Sequence, residues 1–329
     1  MVTKRNIPSE LQSTKPSGIN WGLAFKWMLM VAAYAFLAYK LITFNQYSEL
    51  ISAWQKMSPA HFDWLLAVFA LLPLNWLLEA LKWKMLTRNI QKINLMSATK
   101  AVLAGISTGF FTPNRVGEFV GRLMFLSAVN RKAGVTLSAI NSLTQNVIMA
   151  LCGIPACVLF FGYTGETKQP DVVWFIAWAI VCLVVFGLIY LALPALSQRI
   201  ANSKYADKVL PFTACLTKFK SLDLLKIMLV SLLRYLIFSA QFGFMLYFFG
   251  IDLTLTEALI AIPTTYLFVT FTPAFAFSEA AIRSSYAVLV IGAFSGQIVG
   301  IALAGLCIWL VNFVIPMVIG SVVMVRSKS

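Results

Sequence analysis

Phe111-Thr-Pro-Asn-Arg-Val-Gly-Glu-Phe-Val-Gly-Arg122 sets two arginines and a glutamate beside a proline and two glycines, with apolar sequence on both sides. A second stretch, Phe271-Thr-Pro-Ala-Phe-Ala-Phe-Ser-Glu-Ala-Ala-Ile-Arg283, repeats Phe-Thr-Pro and again ends in Glu-x-x-x-Arg. The fold turns on whether these charges belong to loops or to segments at membrane depth.

Composition answers the first part. Of the 329 residues, 60% are hydrophobic and only 12% charged, with a mean hydropathy of +0.83. Soluble domains carry about 25% charged residues, so the chain reads as an integral membrane protein. The formal net charge of +14 does not point to nucleic acid, because basic residues between membrane spans set orientation. Cys152, Cys157, Cys182, Cys215 and Cys307 are odd in number. They read as small core hydrophobes rather than a disulfide framework. The first 20 residues are polar and basic and run into a full-length apolar span. That reads as a mature cytoplasmic tail, since a cleavable leader has a short apolar region and a small-residue cleavage site.

A crossing helix needs about 20 apolar residues. Six segments meet that length: Trp21 to Phe44, Phe62 to Leu86, Thr136 to Phe161, Val172 to Leu196, Leu222 to Phe249, and Gln297 to Val325. Ala98 to Ala128 is too long for one crossing and short for two, with a break at Pro113. Thr254 to Phe294 is broken likewise at Pro273. If both broken regions return to their starting side, the Lys and Arg residues at 1–20, 82–100, 131–132, 199–220 and 326–328 all face the cytoplasm. Only Lys56 and Lys168 then lie outside. This obeys the positive-inside tendency and puts both termini in the cytoplasm.

The unit from 62 to 161 then runs opposite to the unit from 222 to 325. Ala101, Phe111, Thr112 and Pro113 match Ala261, Phe271, Thr272 and Pro273, and Glu118 and Arg122 match Glu279 and Arg283 one residue later. The expected fold is all-α: six full transmembrane helices plus two broken, re-entrant helical hairpins in an inverted repeat. Such interrupted, repeated helices occur in many secondary transporters. Residues 1–20 and 326–329 are the cytoplasmic tails of one membrane domain, 21–325.

At each break Thr112 or Thr272 suits an N-cap, with Pro113 or Pro273 at the first helical position, and Gly117 loosens the first break. Arg115 is expected in the first turn, where free N–H groups favour an anion. Glu118–Arg122 and Glu279–Arg283 have i, i+4 spacing, so each pair can join within its helix. A phosphate-bearing head group could dock on Arg115, with the glutamates orienting the arginines or exchanging a proton. The alternative is that these pairs only fasten a hairpin. Charges at bilayer depth cost roughly 2.5–3.5 kcal/mol each and are usually functional, which favours a substrate or ion path. Further polar faces support a wet interior: Asn75, Glu79 and Lys82; Ser138, Asn141 and Gln145, with Asn146 nearby; and Arg234 with Gln241. Helix–helix hydrogen bonding is the plainer reading of each face. Gly105 and Gly109 have the spacing of close helix packing. His61 is the one histidine, so no zinc site is expected. No phosphate loop, nucleotide motif or catalytic triad occurs, and no cofactor is expected.

Pro113-Asn-Arg-Val-Gly-Glu118-x-x-x-Arg122 resembles the Pro-x-x-x-Gly-Glu-x-x-Arg-type signature of the lysylphosphatidylglycerol synthase transmembrane-region family, also called flippase-like membrane proteins. The Pro273 to Ser-Glu279-Ala-Ala stretch resembles its second signature, with Ala-Phe-Ala-Phe-Ser where glycines are expected and no arginine before Glu279. The resemblance spans roughly Trp21 to Val325. It implies a multi-spanning lipid translocase of the cell membrane, taking a phospholipid or glycolipid head group as partner. In bifunctional members this region flips aminoacylated phosphatidylglycerol made by a soluble synthase domain. Because the chain ends at Ser329, no aminoacyl transfer is expected of it, and a separate lipid-modifying enzyme is a possible partner. Two other readings stay open: an intramembrane transferase using Glu79, Glu118 or Glu279, and a non-transporting subunit of a lipid-modifying enzyme.

The orientation has a direct check. Single cysteines at Gln55 and Thr167 should react with an impermeant maleimide on intact cells, and those at Ser203 and Ser327 should not. External labelling at Ser203 would reverse the topology.

Overall fold

Five of the six expected spans fold as long helices whose length follows their apolar runs. The computed structural model describes residues 61–112, 115–165, 169–201, 214–273 and 276–326. The expected span Trp21 to Phe44, the N-terminal tail, Pro113 and residues 327–329 lie outside them. Helix α1 is Phe62–Thr87, α2 Leu95–Phe110, α3 Gly117–Leu123, α4 Arg131–Tyr163 and α5 Gln169–Ala201. Then follow α6 Ser221–Phe248, α7 Leu255–Phe271, α8 Ala276–Ile291, α9 Ile298–Trp309, a π-helical turn Leu310–Val314, and α10 Ile315–Arg326. No strand occurs among the described residues. Four stretches are long and apolar enough to cross a membrane: Phe62–Thr87, Ala128–Tyr163, Ala177–Arg199 and Ile298–Arg326. The chain is therefore an all-helical, multi-pass membrane protein. Expected span Leu222 to Phe249 is a 28-residue helix but not one of those four.

Local signals set the helix starts. Asn94 caps α2 by accepting from Ser97 N at 2.7 Å. At α7, Thr254 Oγ1 accepts from Glu257 N while Glu257 Oε2 accepts from Thr254 N at 2.8 Å, a reciprocal capping box. The helices at the two breaks are short. They hold 16 and 7 residues at the first break and 17 and 16 at the second, against the roughly 20 a crossing needs.

The Thr-Pro signals do not start helices as expected. Helix α3 begins at Gly117 and α8 at Ala276. Thr112 Oγ1 still serves α3, accepting from Gly117 N at 2.7 Å while donating to Gly109 O. Thr272 instead ends α7. It is extended (φ −89°, ψ 120°), as a residue before proline tends to be, and its hydroxyl donates to Phe268 O at 2.7 Å.

Packing is organised around the breaks. Helices α1 and α6 lie along each other, α2 packs on α3 and on α10, and α7 packs on α8 and on α4. Glycines let backbones meet at these contacts. A Cβ at Gly117 would strike Thr108 O, one at Gly121 Ala104 O, and one at Gly320 Leu103 O. Gly105 sits against Arg122 and Glu118 and Gly109 against Glu118, so the expected close-packing role of this pair holds. Helix α5 sits at the periphery and presents Trp174, Trp178 and Leu188 outward, as a lipid-facing helix should. Cys152, Cys157, Cys215 and Cys307 form no disulfide among the described residues. Burial pushes Cys215, in the connection before α6, up to about 11.

Gly320→Ala should therefore cost about 1–3 kcal/mol, as overpacking does, and lower the thermal unfolding midpoint in detergent. Gly187→Ala, in α5 with nothing within 4 Å of a new Cβ, should leave it unchanged or raise it. Equal midpoints for the two variants would contradict the close α2–α10 approach.

Candidate functional site

Eight charged side chains from α1, the α2–α3 turn, α3, α6 and α8 form one connected network. Its inner part centres on Glu79. Lys82 Nζ lies 2.9 Å from Glu79 Oε2, and Arg234 Nη1 2.8 Å from the same oxygen. Arg122 Nη2 donates to Oε1 at 2.8 Å and Asn141 Nδ2 to Oε1 at 2.7 Å. The Glu79 side chain is only 4% exposed and that of Lys82 1%. Lys82 is thus a core group and does not belong among the cytoplasmic basic residues where the census put it. It also lies 3.4 Å from Gln145 Oε1.

From Glu79 the network runs outward. Arg122 also donates to Glu118 Oε2 at 3.0 Å, the expected i, i+4 pair. Glu118 faces Arg115 at 3.9 Å. Arg115 Nη2 then reaches across to the second break and meets both oxygens of Glu279, at 2.7 and 2.8 Å. Arg283 stands 3.4 Å from Glu279, the second expected i, i+4 pair. Arg115 is therefore not an unpaired helix-start cation. It precedes α3, with φ at +59°, in a left-handed conformation costly for a side chain other than glycine. Two contacts hold it there: the Glu279 bridge, and the Phe313 ring 3.6 Å from the guanidinium carbon. Since Thr112 already caps Gly117 N, and α3 has only seven residues, anion attraction here comes from guanidinium groups and not from a helix start.

The polar faces seen in the sequence largely converge. Arg234 Nε donates to Asn75 Oδ1 at 2.9 Å and its Nη1 reaches Gln145 Oε1 at 3.3 Å. Gln241 does not join, because its amide donates to Val68 O at 3.0 Å, fastening α6 to α1. Ser138 is buried with its hydroxyl unpartnered, and Asn146 is exposed. Pro113 lies outside the described residues, as do Asn114 and Ala274. Pro273 follows α7 and is exposed.

Several contributors escaped the sequence. Asn312 accepts from Asn75 Nδ2 at 2.8 Å; its signal was a lone amide within the apolar run from Gln297 to Val325. Phe313 lies against both Arg115 and Arg283, and Tyr266 against Arg283. Nothing distinguishes these rings among 26 phenylalanines and 10 tyrosines. The Thr272 and Tyr286 hydroxyls, 2.9 Å apart, join an open groove of about 410 Å³ with Ile154, Leu267, Phe268 and Phe271.

Among the described residues, the network contains five cations (Lys82, Arg115, Arg122, Arg234, Arg283) and three carboxylates (Glu79, Glu118, Glu279). With all of these ionised, two positive charges are in excess. Arg122 Nε and Nη1 and Arg283 Nε are buried donors with no acceptor among the described residues. Chemically, this is a partly exposed, net cationic site able to take an anion.

The family model of the lysylphosphatidylglycerol synthase TM region matches residues 27–320, and the chain belongs to that family. The family points to a role in membrane lipid biology. No curated protein and no solved structure matches the chain.

Arg122→Ala leaves Glu118 facing only Arg115, at 3.9 Å, and removes one of three cations from Glu79; breaking a buried pair costs about 3–5 kcal/mol. The variant should fail to yield a monodisperse species in detergent, and adding Glu118→Gln should restore part of the yield. Full monodispersity of Arg122→Ala alone would contradict the buried pairing.

Proposed function

We propose that this protein is a lipid translocase that moves an anionic, phosphate-bearing lipid between leaflets and performs no chemistry on it. The observation that carries this reading is the network itself, which joins the two helix breaks and retains two excess positive charges. A fastener needs no excess charge, because balanced pairs hold helices at less desolvation cost. One phosphodiester accepts bidentate guanidinium hydrogen bonds, and Arg115, with 31% of its side chain exposed, is the most accessible of the network's cations.

The packing supports the inverted repeat. Exchanging α1 with α6, α2 with α7, α3 with α8 and α4 with the α9–α10 helix turns the α2–α10 contact into α7–α4, and leaves α1–α6 as itself. In this reading the chain has six crossings and two re-entrant hairpins in the cell membrane, with both termini cytoplasmic. The lipid enters at the breaks, and a separate lipid-modifying enzyme supplies it.

The test neutralises both members of the exchangeable pair together, leaving Arg283 its ring contacts with Tyr266 and Phe313. Full-length protein in phosphatidylcholine vesicles should speed transbilayer movement of acyl-labelled phosphatidylglycerol. The double variant Arg115→Gln, Glu279→Gln should fold yet reduce that rate at least tenfold. Wild-type rates in the double variant would return these charges to a fastening role.

A further inference from the structure

The three carboxylates of the network are not equivalent. Glu79 faces three cations and an amide, and losing any one leaves it compensated. Glu118 keeps Arg122 at 3.0 Å whatever Arg115 does. Glu279 depends on Arg115: among the described residues, only Arg283 remains without it, at 3.4 Å. The described surroundings offer no replacement. The run from Ile298 to Val325 contains no charged residue. On α7 the one charged group, Glu257, is engaged in the cap at the far end, and Tyr266 faces Arg283. Glu118 stands behind Arg115 and is itself an anion.

Arg115, by contrast, has a second hold besides the Glu279 bridge. The Phe313 ring lies 3.6 Å beneath its guanidinium, on a π-helical turn, a feature frequent at functional sites. Stacking fixes the plane and leaves the N–H edge free to change acceptors. With 31% of the Arg115 side chain and 13% of the Glu279 side chain exposed, a ligand and water can both reach the pair.

We propose that Glu279 is the coupling-proton site of the transport cycle. This rests on the translocase reading above. The phosphodiester of the lipid takes the Arg115 N–H edge, the Arg115–Glu279 bridge opens, and the Glu279 carboxylate binds one proton from water on the loading side. One ion pair replaces another, and the lipid's negative charge travels with one added positive charge. On the opposite side the lipid leaves, Glu279 releases the proton to water, and the bridge re-forms. Lipid and proton therefore move in the same direction, with no net charge transferred.

The test uses full-length protein in phosphatidylcholine vesicles holding trapped pyranine and a trace of acyl-labelled phosphatidylglycerol, with the interior one pH unit more alkaline. One proton per lipid predicts that the label accumulates about tenfold on the inner leaflet, one pH unit being a tenfold bias, and that pyranine reports acidification in step. In Glu279→Gln, which carries no titratable carboxyl at this position, pyranine should report no acidification with lipid entry, and whatever label moves should be distributed evenly. Even distribution by the wild-type protein under the gradient, or a retained tenfold bias in Glu279→Gln, overturns the proposal. Failure of the wild-type protein to move label at all overturns the translocase reading instead. Inorganic phosphate added outside without labelled lipid should leave pyranine unchanged; acidification by phosphate alone would assign the cycle to a free anion and overturn the lipid assignment.

Discussion

Charge compensation at membrane depth is the constraint on which this structure depends. Glu79 sits in α1 with 4% of its side chain exposed, where an isolated carboxylate has no water to solvate it. Lys82, Arg122 and Arg234 close around it from α1, α3 and α6. Arg122 ties the short helix α3 to α1 through Glu79, and Arg234 ties α6 to the same carboxylate.

Close backbone approach makes the same geometry possible. Gly105 and Gly109 on α2, with Gly117 and Gly121 on α3, bring the two helices together at the level of Glu118 and Arg122. A methyl group at Gly109 would run into the Glu118 side chain. The charged residues and the glycines of the first break are therefore one device: the glycines open the space, and the charged side chains fill it. At the second break the corresponding role falls to apolar residues, with Ala280 packed beside Phe110 and Trp309. The second break is the more apolar one, and its Glu279 looks to the first for its strongest partner.

Much of this was legible in the sequence. Run length gave α1, α4 and α5 and the long helix from Ile298 to Arg326, because crossing a bilayer imposes a length that no soluble fold imposes. Spacing of i, i+4 gave Glu118–Arg122 and Glu279–Arg283, since helical neighbours are fixed by geometry alone. What escaped were contacts between elements. The Arg115–Glu279 bridge joins residues 164 apart, and no local pattern specifies it. The Thr-Pro steps were read as helix starts because threonine and proline favour those positions. Yet α3 begins at Gly117 and α8 at Ala276, because Arg115 turns left-handed to reach Glu279 and because Thr272, ahead of a proline, is held extended. Phe313 carries no sequence signal, being one ring in an aromatic-rich apolar run.

The central claim is that Arg115 exchanges Glu279 for a lipid phosphate. The most direct measurement is a structure of the full chain in a bilayer disc rich in phosphatidylglycerol, read at Arg115. The account predicts phosphodiester density about 2.7–2.9 Å from the guanidinium nitrogens, Phe313 still stacked beneath, and the Glu279 carboxylate withdrawn. Lipid density confined to the outer faces of the helices, with Arg115 still bridged to Glu279, would contradict it.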